Sequence, residues 1–467
     1  MCDDTATVTP SHAAPPSYGE GAFYPDGAFE CPVFEGAEKK LEVRFELPAD
    51  AGADGMRAVC RADWDALCAA GACTIVSKIS SRDADAFMLS ESSLLVYPNR
   101  VIAKTCGNTE TLSMLPPLLK LAAQLRCRVA RVIYSRSDFL WPDKQPAPYQ
   151  NFDDERAVIA AALADAALGA ADVVSHVCGP MEGTRWHVCM VTLGPHAAPM
   201  PAPTMALCPP VATADCSGAA ADSSSDSGAG SDTPLSCESG ESSLSVPSRP
   251  FSPLTSADGV VLLPSEIGTE AGFSGFLAEP AFAELASKCT LEMTMNGLDQ
   301  ANATEHFWMS EKNTSAYVTR TCGLSDVLGP DATVDAYMFE PCGYSMNALS
   351  AKDEYYSVHV TPQNPGSFAS FETSCVPARL SYPELLAAVL RIFKPSRFAV
   401  SLTCTAVEGK GQGHLVRAQR DLCRRVEERL GPQISHRDSV GFEVMTECVQ
   451  RLPAMGSFMY QSYVCRE

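Results

Sequence analysis

The stretch Phe87-Met88-Leu89-Ser90-Glu91-Ser92-Ser93-Leu94-Leu95-Val96-Tyr97-Pro98-Asn99-Arg100-Val101-Ile102-Ala103-Lys104-Thr105-Cys106-Gly107 decides how this chain folds. Phe87 to Leu89, Leu94 to Tyr97 and Val101 to Lys104 are short apolar runs with the aromatic and β-branched content of strands. Pro98-Asn99 between the last two is turn chemistry. Ser90 to Ser93 interrupts the first two and, taken alone, reads as a serine-rich turn. The stretch therefore predicts consecutive antiparallel strands. Thr74 to Ile79 supplies another strand just upstream.

The same style continues on both sides. Leu112, Leu115, Leu118, Leu119 and Leu125 give one helical face, with Pro116 and Pro117 in its first turn. Arg131 to Ser135 and Trp186 to Leu193 are strand-like, and Ala157 to Val174 reads as an alanine-rich helix. Further on, Tyr355 to Val360, Phe368 to Phe371 and Phe398 to Thr403 are strands. Ser381 with Glu384 forms a capping box, and Pro395 ends that helix. Leu422, Val426 and Leu430 line a last helix closed by Gly431. Strand-strand-helix groups in both halves predict an α+β fold of antiparallel sheets covered by helices.

Two segments depart from this pattern. Residues 1–31, rich in Pro, Ala and Gly, predict a disordered extension without a secretory leader. Residues about 196–280 include the acidic serine run Asp222-Ser223-Ser224-Ser225-Asp226-Ser227, which cannot bury enough apolar area to offset its ordering entropy. The expectation is one domain over 32–467 with this insertion on its surface. Closing so long a loop costs only about 2 kcal/mol more than a ten-residue one.

The chain has 467 residues, 35 Lys and Arg against 56 Asp and Glu, and a net charge of −21. Such acidity repels phosphate backbones and anionic membranes, so neither nucleic acid nor membrane is an expected partner. Twenty cysteines contain no C-x-x-C pair, and no His cluster has zinc spacing. Reduced thiols, a cytoplasmic location and no metal are expected. No P-loop, dinucleotide fingerprint, zincin or nucleophile-elbow pattern is present.

What remains is a set of local strings. They are Phe34-Glu35-Gly36-Ala37-Glu38-Lys39, Leu89 to Leu94, Lys104-Thr105-Cys106-Gly107, Phe339-Glu340-Pro341-Cys342-Gly343-Tyr344-Ser345-Met346-Asn347, and His359-Val360-Thr361-Pro362. Singly, each has a bland reading: a helix start, a turn, a buried thiol, a structural histidine. In this order they resemble the eukaryotic S-adenosylmethionine decarboxylase family, with wording nearer its plant and algal branch. The resemblance runs from about Val33 to Leu193 and from about Cys289 to at least Phe398.

The resemblance implies a four-layer αββα sandwich, two antiparallel sheets with helices outside. It also implies a proenzyme that cuts itself between Glu91 and Ser92 and keeps both products, 1–91 and 92–467, in one enzyme. Decarboxylating an amino acid leaves a carbanion that side chains cannot delocalise. The family supplies the electron sink as a pyruvoyl group made from its own serine, here Ser92, which takes the amine of S-adenosylmethionine as a Schiff base. The product would be the aminopropyl donor for spermidine and spermine. Ser345 and His359 match the processing residues, Cys106 the proton donor, Glu35 and Glu38 acids around substrate and scissile bond. Phe34 and Phe339 match aromatics that hold adenine. A homodimer is compatible with the family.

Two departures accompany the match. Gln363 stands where the family has a ribose-binding Glu. Lys288 stands where animal members have an Asp for activating putrescine, near the family's acids at Glu42, Glu292 and Glu372. Lys288, with Lys104 and Arg136 in the same charged region, is expected to supply positive charge internally and leave little stimulation by putrescine. A regulatory paralogue that activates a partner subunit is the alternative function. Such paralogues lose the cleavage serine, whereas Glu91, Ser92, Cys106, Ser345 and His359 are all present here.

Overall fold

A computed structural model describes residues 34–50, 52–180, 184–194, 285–329, 331–350, 354–374, 380–407, 412–430, 441–452 and 456–465. The expected extension at 1–31, the insertion at about 196–280 and the Gly431 helix stop lie outside these residues. The described residues belong to one compact unit.

Two antiparallel sheets of eight strands form it. The first contains β1 (Lys39–Glu46), β2 (Ile75–Ser80), β3 (Asp85–Leu89), β4 (Ser92–Tyr97), β5 (Arg100–Thr105), β6 (Arg128–Ser137), β7 (Ala170–Cys178) and β8 (Trp186–Leu193), in the order β2-β3-β4-β5-β1-β6-β8-β7. The second contains β9 (Ala286–Leu298), β10 (Thr333–Met338), β11 (Tyr344–Leu349), β12 (Tyr355–Thr361), β13 (Phe368–Thr373), β14 (Pro395–Ala406), β15 (Phe442–Leu452) and β16 (Gly456–Cys465). Its order, β10-β11-β12-β13-β9-β14-β16-β15, traces the same path. The first strand of each half is thus central, between the fifth and sixth. This repetition is one of topology, and the sequence shows no repeat.

Alternation along each strand explains the layers. Leu41 and Val43 of β1 join Trp64, Leu118 and Ile159 from the helices Arg61–Ala70, Leu115–Gln124 and Phe152–Asp165 in one outer core. Leu291 and Met293 of β9 join Leu386 and Leu422 from Tyr382–Phe393 and Gln412–Leu430 in the other. Each such aliphatic side chain contributes about 1.5–3 kcal/mol by burial. The inner faces meet in two smaller clusters. Trp186 and Met190 pack with Phe458 and Tyr460; Leu95 and Ile102 pack with Leu349 and Tyr355. The architecture is the expected αββα sandwich.

Three local expectations change. Ser92 and Ser93 belong to β4, so the turn after β3 consists of Ser90 and Glu91 alone. The 34–39 string opens no helix but leads straight into the central strand β1. The alanine-rich helix ends at Asp165, and Val173 and Val174 lie in β7. Ala167, at φ 55°, breaks the helix just before Gly169, and β-branched valines favour the strand beyond. The capping box is present as read, with both reciprocal bonds.

Candidate active site

The site grows from the turn between β3 and β4. Ser92 is 1% exposed and has φ +134°. This backbone region is close to glycine-only, and a serine held there stores roughly 1–3 kcal/mol. The strain sits on the residue that follows the Glu91 carbonyl. That carbonyl oxygen accepts from the Cys106 backbone N–H at 3.1 Å, and the Cys106 thiol lies 3.4 Å away. Pairing of β4 with β5 sets this arrangement, because Ser92 stands opposite Thr105.

The Ser92 hydroxyl donates to Glu38 Oε1 at 2.9 Å. Burial pushes Glu38 up, but Lys104, with its ammonium 3.0 Å away, holds it below the usual carboxylate range. Glu38 is therefore an ionised acceptor. His359 Nε2 lies 3.8 Å from the same oxygen. Its Nδ1 is 2.8 Å from the Ser345 hydroxyl, its Nε2 3.0 Å from the hydroxyls of Ser93 and Ser357. Burial lowers His359 to about 4, so its ring is neutral near pH 7. Ser345 and His359 are cross-strand partners on β11 and β12. Asn347 accepts from Ser93 at 2.7 Å and donates to the Phe87 carbonyl at 3.2 Å, tying the second sheet to the first.

Burial, with Glu91 and Glu38 nearby, raises Cys106 well above its ordinary value. It is a protonated thiol. Glu35 is pushed up by burial despite accepting backbone N–H bonds from Leu140 at 3.0 Å and Trp141 at 3.1 Å. Its own carbonyl accepts from Gly107 at 2.9 Å. Gly107 has φ +59°, and any Cβ there would lie 2.5 Å from the Phe34 ring. Gly36 is needed for a different reason. A Cβ would stand 2.6 Å from Phe368 and 3.0 Å from Thr361 Oγ1. The 34–38 segment thus crosses to the second sheet beside Thr361-Pro362-Gln363. Gln363 is half-buried, and among the described residues its Oε1 has no hydrogen-bond partner. Phe339, half-buried at the end of β10, meets the Tyr337 ring edge-on at 4.8 Å.

Behind Glu38 lies a buried ion network. Lys104 is 3.0 Å from both Glu38 and Glu372; Lys40 is 2.6 Å from Glu372 and 3.2 Å from Glu292. Tyr355 donates to Glu372. Burial alone would raise Glu372, but Lys104 and Lys40 bring it down to about 2. Two expected members sit elsewhere. Arg136 points to the helix side of the first sheet, 2.7 Å from Glu155 and over the Phe139 and Phe152 rings. Strand alternation sends it opposite to Lys40, because it is the cross-strand partner of Lys39. Lys288 is exposed, near Glu42, Arg44 and Arg100, so it does not neutralise Glu292 and Glu372. Lys40 does. Sequence reading missed Lys40, Ser93, Asn347, Ser357 and Tyr355. A signal for Lys40 existed: Glu38, Lys40, Glu42 and Arg44 alternate with Leu41, Val43 and Phe45, the pattern of a strand with one charged face.

Among the described residues no group of His, Cys, Asp and Glu could hold a metal, and no helix is long and apolar enough to cross a membrane. The family described as adenosylmethionine decarboxylase matches residues 32–204 and 276–464. An S-adenosylmethionine decarboxylase proenzyme of Oryza sativa subsp. japonica is 30% identical over 93% of this chain and 83% of its own length. One of Hordeum chilense is 28% identical over 93% and 84%. The crystal structure of the Trypanosoma brucei AdoMetDC-delta26 monomer is 27% identical, with a TM-score of 0.30 over 39% of this chain and 66% of its own. With family matches over residues 32–204 and 276–464, and a relative 30% identical over 93% of this chain, the chain belongs to the adenosylmethionine decarboxylase family.

Proposed function

We propose that this protein is a pyruvoyl-dependent S-adenosylmethionine decarboxylase, made as a proenzyme that cuts itself between Glu91 and Ser92. The observation that carries the reading is the strained Ser92, with its hydroxyl on ionised Glu38 and the preceding carbonyl held by the Cys106 N–H.

Processing begins when Glu38 accepts the Ser92 proton and Oγ attacks the Glu91 carbonyl carbon. The developing oxyanion stays on the Cys106 N–H, a donor already in place. The C–N bond breaks as the Ser92 nitrogen takes a proton, leaving an ester. Neutral His359, oriented by Ser345, is the candidate base for the Ser92 α-proton. Elimination expels the Glu91 carboxylate, and hydrolysis of the dehydroalanine releases ammonia and leaves the ketone at position 92.

The pyruvoyl group supplies the electron sink for loss of carbon dioxide. The residues around Ser92 fit such a group: Glu38 beside it, and the thiol of Cys106 on the carbonyl oxygen that the small chain vacates. Cys106, kept protonated by burial, is the candidate donor of a proton to substrate Cα. Phe34 and Phe339 offer faces for adenine and the sulfonium. Gln363 Oε1 offers a ribose hydroxyl an acceptor, weaker than a carboxylate by roughly 1 kcal/mol.

Cys106→Ala separates the two chemistries. It is expected to retain cleavage, because the backbone N–H that holds Glu91 survives, while turnover falls about 10²-fold or more with loss of the proton donor. Wild-type turnover by this variant would reduce Cys106 to a core thiol. Residues 32–467 are read as one decarboxylase domain interrupted at about 196–280. Deleting 205–275 is therefore expected to leave cleavage and turnover within about twofold, since such a segment lacks core-forming pattern. An insoluble or uncut deletion variant would show that the segment packs on the domain.

A further inference from the structure

Two thiols meet where the edges of the two sheets face each other. Cys178 ends β7, the edge strand of the first sheet, and Cys448 lies within β15, the edge strand of the second. Alternation turns both inward. Val173 and Val177 of β7 point out, 52% and 54% exposed, whereas Val174 and Cys178 join the inter-sheet cluster of Trp186, Met190, Phe458 and Tyr460. Cys448 packs on the same cluster from the other side. Register fixes each thiol, since Cys178 stands opposite Trp186 and Cys448 opposite Tyr460.

The Cys178 thiol donates to the Cys448 sulfur at 3.6 Å, across 270 residues of chain. This bond favours the charged form of Cys448, lowering it from the ordinary thiol range, and keeps the proton on Cys178. A thiolate is the reactive form towards oxidants. Cys448 is half-buried on an edge strand, so a small oxidant can reach it, while Cys178 behind it is 3% exposed. Cys289 and Cys404 offer a contrast. They are cross-strand partners with sulfurs 2.9 Å apart, but they sit in the helix-side core at 4% and 0% exposure, out of reach of such an oxidant.

We propose that Cys178 and Cys448 are a redox modification site, at which a hydroperoxide joins them in a reversible disulfide that staples one sheet to the other. The Cys448 sulfur attacks a peroxide oxygen, the O–O bond breaks, and with hydrogen peroxide water leaves, giving a sulfenic acid. The Cys178 sulfur then attacks the Cys448 sulfur, the S–O bond breaks, and a second water leaves with the Cys178 proton. The two thiols lose two electrons and two protons, and the peroxide is reduced to two waters. The sulfurs close from 3.6 Å to the roughly 2.05 Å of a bond. The site does not depend on the decarboxylase reading. β7 lies at the far end of its sheet from β2, β3 and β4, and both cysteines follow residue 92, so cleavage leaves the pair in one piece.

The test uses full-length protein, reduced, freed of reductant and treated with one equivalent of hydrogen peroxide. Remaining thiols are alkylated, and the unreduced digest is mapped by mass spectrometry. A linked peptide containing Cys178 and Cys448 is expected as the main disulfide product, lost on adding dithiothreitol. Closing so long a loop should raise the unfolding temperature by at least about 3 °C. Cys448→Ser, a change at a half-buried position, should lose both the linked peptide and the thermal shift. Cys178→Ser should do the same, and Cys448→Ser decides alone if the more buried variant misfolds. No linked peptide, Cys178 or Cys448 paired mainly with another cysteine, or an equal thermal shift in Cys448→Ser overturns the proposal. A cross-linked wild type with an unchanged unfolding temperature also overturns it, because the bond would then not staple the sheets.

Discussion

Ser92→Ala is expected to stay as a single 49.7 kDa band with decarboxylation below detection, while wild-type protein splits into pieces of about 10 and about 40 kDa, in proportion to 91 and 376 residues. The effect is all-or-none for a chemical reason. The N-to-O acyl shift needs an Oγ or Sγ on the residue after the scissile bond, and no neighbour can substitute. Ser93, one residue on, faces Asn347 and His359 with its own hydroxyl. Without the shift there is no ketone, and without the ketone no electron sink. The alanine variant should fold, because it removes one hydroxyl and leaves Glu38 paired with Lys104. Intact mass spectrometry of the wild-type large chain should find a blocked, pyruvoyl N-terminus. Wild-type protein that turned over substrate while uncut would sink the cofactor assignment.

Lys104→Met should be the most destabilising single change near the site, by about 3–5 kcal/mol. The ammonium is fully buried between Glu38 and Glu372, each at 3.0 Å. A methionine fills the space but leaves two carboxylates with less counter-charge, and Lys40 reaches only Glu372 and Glu292. Urea unfolding at pH 7 measures the loss, and an unchanged midpoint would mean that Lys104 contributes nothing net.

The pH profile of the wild type follows from the same groups. Glu372 is lowered to about 2, so its contribution is present above about 4.5, its ordinary value, and is lost as pH falls toward 2. Burial lowers His359 to about 4, below its ordinary value near 6.5. Between those values the unfolded chain binds the extra proton, so stability falls with pH from about 6.5 downward. Lys104 is raised by Glu372 and Glu38 despite burial, so its contribution persists at neutral pH and is lost only in strong alkali. Unfolding midpoints measured from pH 7 to pH 4 should therefore decline from the upper end of that window. A flat profile down to pH 5 would contradict a neutral, buried His359.

Local order set much of this protein. Short apolar runs around Pro98-Asn99 determined consecutive antiparallel strands, and Ser381 with Glu384 determined a helix start. These are short-range effects of side-chain periodicity and backbone capping, legible without partners. The five strings determined the family because their wording, order and spacing are specific. Tertiary structure decided the rest. That β1 and β9 are central strands depends on pairing with segments far away in sequence. Ser92 became a strained strand residue, not a loop residue, because register with β5 placed it opposite Thr105. Lys40, not Lys288, became the counter-charge of Glu292 and Glu372, since only packing of one sheet on the other sets which charges approach within 3–4 Å. Arg136 went to the opposite face for the same reason that placed Lys40 inside: a strand alternates its side chains, and the choice of face is made by what each side must cover.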